Sequence, residues 1–381
     1  MSKVSEITVY PIKSAGGIHL SQTWVDELGL SFDRRFVITK PNGEFITART
    51  HHHLCLIQCV ITPTGLKLVA PGMPVLSIHY DDFQENYESV NVWNDTINAQ
   101  HCNERYDTWL SQYLNESCKL MYFGKHSSRP VKDSTSEVSF ADGYPLLLTS
   151  EASLNDLNAR SYHKTTMTQF RPNLVVSGCQ PYEEDTWSRI RIGEVEFDVV
   201  KPCTRCIFTT INPSTAEKHP KQEPLHSLKK YRQLAGGDVC FGQNIIPLNQ
   251  GKISVFDSVE VIAKQSPPTF INKRSSQLKP KEPDNSPQTA QENANVNILF
   301  DSWDKYVPGN SQETILEQGE AAGLILPYSC RGGMCGRCKV KLNSGDVRQL
   351  ATDGLSPQEQ DEGYILACSS IPQSDVVISK D

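Results

Sequence analysis

Cys330-Arg331-Gly332-Gly333-Met334-Cys335-Gly336-Arg337-Cys338 gathers three of the chain's 12 cysteines into one short run, and Cys368 follows downstream. Thiolates are the soft ligands that iron and zinc favour, and glycine lets a backbone wrap closely around a bound group. The other cysteines, at 55, 59, 102, 118, 179, 203, 206 and 240, are scattered through the chain. Twelve in 381 residues is about 3%, far below the ~8 to 10% of a disulfide scaffold. The cluster therefore reads as a site and not as a set of staples.

The spacing C-x4-C-x2-C with one distant cysteine is the ligand pattern of a plant-type 2Fe-2S cluster, held by four thiolates. Zinc sites ordinarily add a second close pair to a C-x2-C, which fits the lone Cys368 less well. Cys330, Cys335, Cys338 and Cys368 are the expected metal ligands. Around them the tail reads as strand 296–300, helix 314–322, Cys-rich loop 327–338, strand 339–342, short helix 357–362 and strand 376–379. Over residues 294–381 this resembles a plant-type ferredoxin domain of β-grasp fold, whose implied task is one-electron transfer.

Working back, residues 264–293 hold prolines at 267, 268, 280, 283 and 287 among Ser, Lys, Gln and Asn, with few apolar side chains. Such a stretch buries too little surface to offset its ordering entropy and reads as a flexible linker. As a random coil it would span about 30 Å. The body before it is rich in strand signals. Residues 36–39 and 45–47 flank Pro41-Asn42-Gly43 and predict a hairpin. Runs at 66–69, 75–78, 90–92 and 97–99 predict a small antiparallel barrel or sandwich, and further runs at 173–176, 189–192, 196–200, 245–247, 253–256 and 259–262 extend it. Helical spacing is confined to 104–114 and to a start capped by Ser150 with Glu151 in its first turn.

The body's densest run of unusual residues is Val200-Lys201-Pro202-Cys203-Thr204-Arg205-Cys206-Ile207-Phe208-Thr209-Thr210. A C-x2-C alone fits a redox pair, half a zinc site or two buried thiols. Its companions are Pro11-Ile12-Lys13-Ser14, Phe32-Asp33-Arg34-Arg35, Ala141-Asp142-Gly143-Tyr144-Pro145, Phe170-Arg171-Pro172-Asn173 and Phe241-Gly242-Gln243-Asn244. Together these resemble the MOSC proteins with an N-terminal β-barrel partner domain, the arrangement of the mitochondrial amidoxime-reducing component. With the ferredoxin tail, the chain is most similar to bacterial YcbX-type proteins.

The resemblance implies a mainly β fold: an N-terminal MOSC-associated β-barrel at 1–120, a MOSC β-barrel at 121–263, the linker at 264–293 and the α+β ferredoxin domain at 294–381. It implies a molybdenum pyranopterin with Cys206 as its protein ligand. A thiolate suits a metal already held by dithiolene sulfurs. Lys13, Ser14, Arg34, Arg171, Thr204 and Arg205 stand at positions that meet the phosphate or pterin, Asp142 and Asn173 at positions facing the ring or metal. Asp142 is the acidic candidate for proton delivery, with a coordinated water as the alternative. Cys203 is left to packing.

Read singly, these residues have plainer explanations. Lys13 and Arg34 also fit solvated surface charges, Arg171-Pro172-Asn173 an entry into a strand, and Asp142 a turn or helix cap. Gly143 and Tyr144 depart from the hydroxyl residues that mitochondrial relatives tend to place there. His51-His52-His53 with Cys55 and Cys59 offers ligand types for a second metal, but consecutive histidines on a strand point to opposite faces. A loop is the better reading there. Cys102, Cys118, Cys179 and Cys240 read as buried small hydrophobes.

The implied activity is reduction of N-hydroxylated small molecules (hydroxylamines, amidoximes, N-hydroxylated nucleobases). No dinucleotide fingerprint occurs in the chain, so an external NAD(P)H-dependent flavin reductase is the expected electron donor. A cofactor carrier or sulfur-transfer protein is the alternative, which the ferredoxin tail disfavours because sulfur transfer needs no low-potential electron. A net charge of -7 gives no broad attraction to phosphate backbones, so nucleic acid is not an expected partner. No apolar run approaches the ~18 residues of a membrane span, and no signal-peptide pattern opens the chain, so the expected setting is cytoplasmic.

Overall fold

The computed structural model describes residues 2–271 except 133 and 162, and 295–380 except 312, 329–332, 334, 335 and 353. Two of the expected cluster ligands, Cys330 and Cys335, and linker residues 272–293 lie outside the described residues. The chain divides into two compact units. Met1–Cys203, Phe208–Pro224 and Phe241–Pro268 make the first; Thr204–Ile207, Leu225–Cys240 and Thr269–Asp381 make the second.

The first unit is mainly β. Its largest sheet orders eight strands as Val259–Lys264, Trp187–Ile192, Val195–Thr204, Cys240–Pro247, Leu146–Ser150, Leu174–Ser177, Lys3–Val9 and Ile18–Leu20. Leu146–Ser150 and Leu174–Ser177 run parallel, and every residue of Leu146–Ser150 is buried. That continuous burial is characteristic of a central strand covered on both faces. The helix Glu151–Arg160 covers it, its N-terminus capped by Ser150, whose hydroxyl accepts from Ser153 N at 3.1 Å. Val4, Ile7, Leu148, Leu174, Val176, Trp187, Ile190 and Phe197 form the core over this sheet.

A second core gathers Ile12, Phe36, Ile38, Leu66, Leu68, Tyr106 and Leu120 from the N-terminal strands and the helix Glu104–Leu114. That helix has the predicted bounds. Asn103 caps it and Asn115 ends it in the left-handed conformation that Asn tolerates. The predicted hairpin is only partly formed. Lys40 to Glu44 makes the turn, with Gly43 at φ 85°, and Ile46 N donates to Ile38 O at 2.8 Å. Residues 47–50 then turn away, because the Thr47 carbonyl and hydroxyl draw in the amides of Arg49, Thr50 and His51. The full partner of Phe36–Thr39 is Lys119–Tyr122. His52–Leu56 is a short 3-10 helix, and burial pushes the Cys59 thiol up to about 12.

In the second unit, five strands order as Lys305–Asn310, Asn295–Phe300, Val376–Ser379, Lys339–Ser344 and Tyr364–Leu366. The central pair, Asn295–Phe300 with Val376–Ser379, is parallel and the others antiparallel. The helix Ile315–Ala321 packs on this sheet, started by a capping box in which Thr314 and Glu317 satisfy each other's amides. Gly319 is required within it, since a Cβ there would sit 2.7 Å from Leu326 and 3.0 Å from Phe300. This mixed sheet crossed by one helix is the β-grasp arrangement. Among the described residues no helix is long and apolar enough to cross a membrane.

Candidate functional site

Two loops of the first unit are laced together by backbone bonds: Lys13 N to Phe36 O, Arg34 N to Tyr10 O and Phe36 N to Pro11 O, at 2.8 to 3.0 Å. Tyr10 N also donates to the buried Asp33 carboxylate at 2.8 Å. Ser14 and Arg34 in these loops, and Arg171 in a third, take left-handed backbone, at φ 73°, 47° and 55°. Non-glycine residues rarely adopt that conformation, and such strain concentrates at ligand sites.

Arg34 and Arg171 face each other across the Tyr10 ring, their guanidinium carbons 4.5 and 4.1 Å from its centroid. Arg34 is held by Asp33 at 2.7 Å, by Asn173 Oδ1 at 3.0 Å and by the Arg171 carbonyl at 3.2 Å. Burial pushes the Tyr10 phenol up to about 12 against the pull of Arg171 and Arg34, so it stays neutral beside the two cations. Arg171 differs from Arg34. Its Nη2 is buried with no hydrogen-bond partner among the described residues, and burial lowers its guanidinium to about 10. A buried, unsatisfied guanidinium N–H is costly unless an anion completes it. A phosphate-bearing cofactor fits that vacant valence.

Lys13 is buried, its Nζ donating to Phe140 O at 2.8 Å and to Asp142 Oδ1 at 2.6 Å. It is thus no solvated surface charge. Phe45 and Trp93 lie beneath it, and burial lowers its ammonium to about 8 against the pull of Asp142. Asp142 leaves 71% of its side chain open. The protein mass around it disfavours its charge, but Lys13, Arg49 and Arg34 outweigh that and hold the carboxyl well below the usual carboxylate range. In this setting the ionised carboxylate anchors Lys13.

Asn173 is 1% exposed, and its amide is occupied by Arg34, by Leu147 N at 3.1 Å and by Thr8 O at 3.2 Å. It aims Arg34 and ties the strands Lys3–Val9 and Leu146–Ser150 together. Asn173→Ala strands the Leu147 amide and the Thr8 carbonyl, and we expect a loss of about 2 kcal/mol, read as a lower urea midpoint at unchanged slope.

Thr204, Arg205 and Cys206 belong to the second unit. Thr204 ends the long strand Val195–Thr204, Arg205 N donates to Val239 O at 2.7 Å, and Cys206 is partly exposed. Phe208 and Thr209, just beyond Cys206 in the chain, belong to the first unit: the Arg171 guanidinium lies over the Phe208 ring at 5.2 Å, and Gln169 Nε2 donates to Thr209 O at 3.0 Å.

Sequence reasoning missed Tyr10, Trp93, Arg49 and Arg129. Arg129, 3% exposed, reaches the carbonyls of Ser139 at 3.0 Å and Asp142 at 3.1 Å and so fixes the loop that presents Asp142. Trp93 Nε1 donates to Asp142 at 3.3 Å while Arg49 stacks on its ring at 4.0 Å. Each lies outside the quoted motifs, and a lone aromatic or arginine carries no local signal.

In the tail, the Cys338 and Cys368 sulfurs lie 3.1 Å apart, both buried, and Gly333 N donates to Cys368 Sγ at 3.2 Å. Gly333, at φ 70°, has no room for a side chain: a Cβ would fall 2.7 Å from Ser369 Oγ. Paired thiols in a glycine cradle with an amide aimed at sulfur are suited to an iron-sulfur cluster.

Three domain families match in chain order: the MOSC N-terminal beta barrel domain at residues 1–117, the MOSC domain at 135–260 and the 2Fe-2S iron-sulfur cluster binding domain at 301–373. Mitochondrial amidoxime-reducing component 1 of Mus musculus is 35% identical over 281 residues, 68% of this chain and 82% of that protein. The chain belongs to the MOSC-domain family of amidoxime-reducing components. Mitochondrial amidoxime reducing component 2 of Rattus norvegicus is 37% identical over 245 residues, 60% of this chain and 72% of that protein. As a MOSC protein with an iron-sulfur domain, the chain is an oxidoreductase for which a molybdenum cofactor and a 2Fe-2S cluster are implied.

Proposed function

We propose that this MOSC protein reduces N-hydroxylated compounds (hydroxylamines, amidoximes and N-hydroxylated nucleobases) at a molybdenum site. Electrons would come from an external NAD(P)H-dependent flavin reductase through the chain's own 2Fe-2S domain. The observation that carries the reading is the 35% identity to an amidoxime-reducing component across 82% of its length, joined in one chain to an iron-sulfur domain match. Functional segments would be 1–120, 121–263, the linker 264–293 and 294–381.

In this reading Cys206 supplies the thiolate to the metal, and Cys330, Cys335, Cys338 and Cys368 supply those to the cluster. A bound molybdenum pyranopterin would provide two-electron chemistry, converting N–OH, two electrons and two protons into N–H and water. The Arg171 Nη2 atom, without a partner among the described residues, would meet the cofactor's phosphate, and Ser14, Thr204 and Arg205 are assigned the same role. Arg34, already committed to Asp33, Asn173 and the Arg171 carbonyl, holds the Arg171 backbone in its left-handed turn. Lys13, lowered to about 8 by burial, is the group of this site that would give up a proton near neutrality, and Asp142 keeps it oriented.

The test is direct. Purified chain, reduced with dithionite and freed of excess reductant, is mixed with an aryl amidoxime, and amidine is quantified by chromatography. Amidine in proportion to the electrons loaded is the expected result. Absence of amidine from protein that contains both metals would sink the reading.

A further inference from the structure

Ser369 follows the cluster ligand Cys368 and is 0% exposed, yet its Oγ has no hydrogen-bond partner among the described residues. A buried hydroxyl left unbonded costs about 1 to 3 kcal/mol, so natural proteins rarely keep one without a use. Its place is specific. The space a Gly333 side chain would fill lies 2.7 Å from Ser369 Oγ, and it is Gly333 whose amide points at Cys368 Sγ. Ser369 is also fixed in the backbone, its carbonyl accepting from Leu350 N at 2.7 Å. The hydroxyl is therefore held against the cradle loop with every described protein acceptor out of reach, the Cys368 sulfur included.

We propose that Ser369 donates its hydroxyl proton to a sulfur of the bound 2Fe-2S cluster itself, and so sets the cluster's reduction potential. It is a positioning and tuning residue, not a ligand. A hydrogen bond to sulfur stabilises the extra negative charge of the reduced cluster, which makes it easier to reduce. The inference rests on the iron-sulfur half of the proposed function and is independent of the molybdenum half.

The experiment uses the full chain, wild type and Ser369→Ala, with iron and sulfide analysis, an electron-paramagnetic-resonance redox titration, and electron-nuclear double resonance in H2O and D2O. With the cluster retained, Ser369→Ala is expected to shift the reduction equilibrium toward the oxidised form by about tenfold, 59 mV more negative for one electron. One exchangeable proton coupling should vanish from the reduced cluster's spectrum. A potential and a proton spectrum both unchanged would overturn the proposal. Should Ser369→Ala lose its iron, Ser369→Thr decides: iron and wild-type potential regained supports the hydroxyl's role, and iron lost again overturns it. A wild-type chain without iron would instead overturn the iron-sulfur reading beneath it.

Discussion

Cys206→Ala is expected to purify with its iron and without molybdenum, and to reduce no N-hydroxylated substrate. The reasoning starts from ligand type: a thiolate is the soft donor that a sulfur-bound metal favours, and alanine offers nothing in its place. Cys206 is partly exposed at the end of a long strand, while the residues just after it are pinned, Thr209 by Gln169 and Phe208 by Arg171. The turn should therefore keep its shape when the sulfur is removed. Changes to groups that only support a metal ligand typically cost about 10- to 100-fold, so removing the ligand itself should cost more. Elemental analysis beside the amidoxime assay reads both consequences, and Cys203→Ala, which keeps molybdenum and turnover, is the control. Molybdenum retained by Cys206→Ala at the wild-type level would show that another residue holds it.

Much of this architecture was legible because its signals are local. Helical spacing bounded Glu104–Leu114, and the apolar run at 97–99 marked the middle of the strand Asp95–His101. Leu146–Ser150 was not legible: all its residues are buried, so it shows no alternation, and Ser150 drew attention to the helix it caps. Lys305–Asn310 was missed because Pro308 and Gly309 disfavour strands. It survives at the sheet's edge, where a missing amide proton is tolerated. The site divides along the same line. Lys13, Arg34 and Arg171 stood in recognisable motifs, but Asn173 as a strand tie, Asp142 as an anchored anion and Tyr10 between two guanidinium groups are products of chain segments far apart in sequence. Residue type suggested the chemistry; only packing assigned which groups are already occupied and which, like Arg171 Nη2, still lack a partner.

Cys368→Ala should have the mirror-image outcome: molybdenum kept, the 2Fe-2S absorbance lost, and NADH-driven turnover with a flavin reductase abolished. Cys368 is 4% exposed, 3.1 Å from Cys338 and bonded by the Gly333 amide, so no neighbouring side chain or water can readily replace its sulfur. Alanine lacks only the sulfur atom, and Ile298, Phe300, Leu316, Ile365 and Ile378 remain to hold the β-grasp core of which Cys368 is one member. The first unit has its own cores and should be untouched. A small reduced dye needs no iron-sulfur relay, so reduced viologen should still drive amidoxime reduction in Cys368→Ala. That contrast isolates the electron path from the chemistry: reductase-driven turnover lost with dye-driven turnover kept means the iron-sulfur domain is the required relay. Reductase-driven turnover unchanged in the iron-free variant would mean that electrons enter the first unit directly, and the tail would need a different explanation.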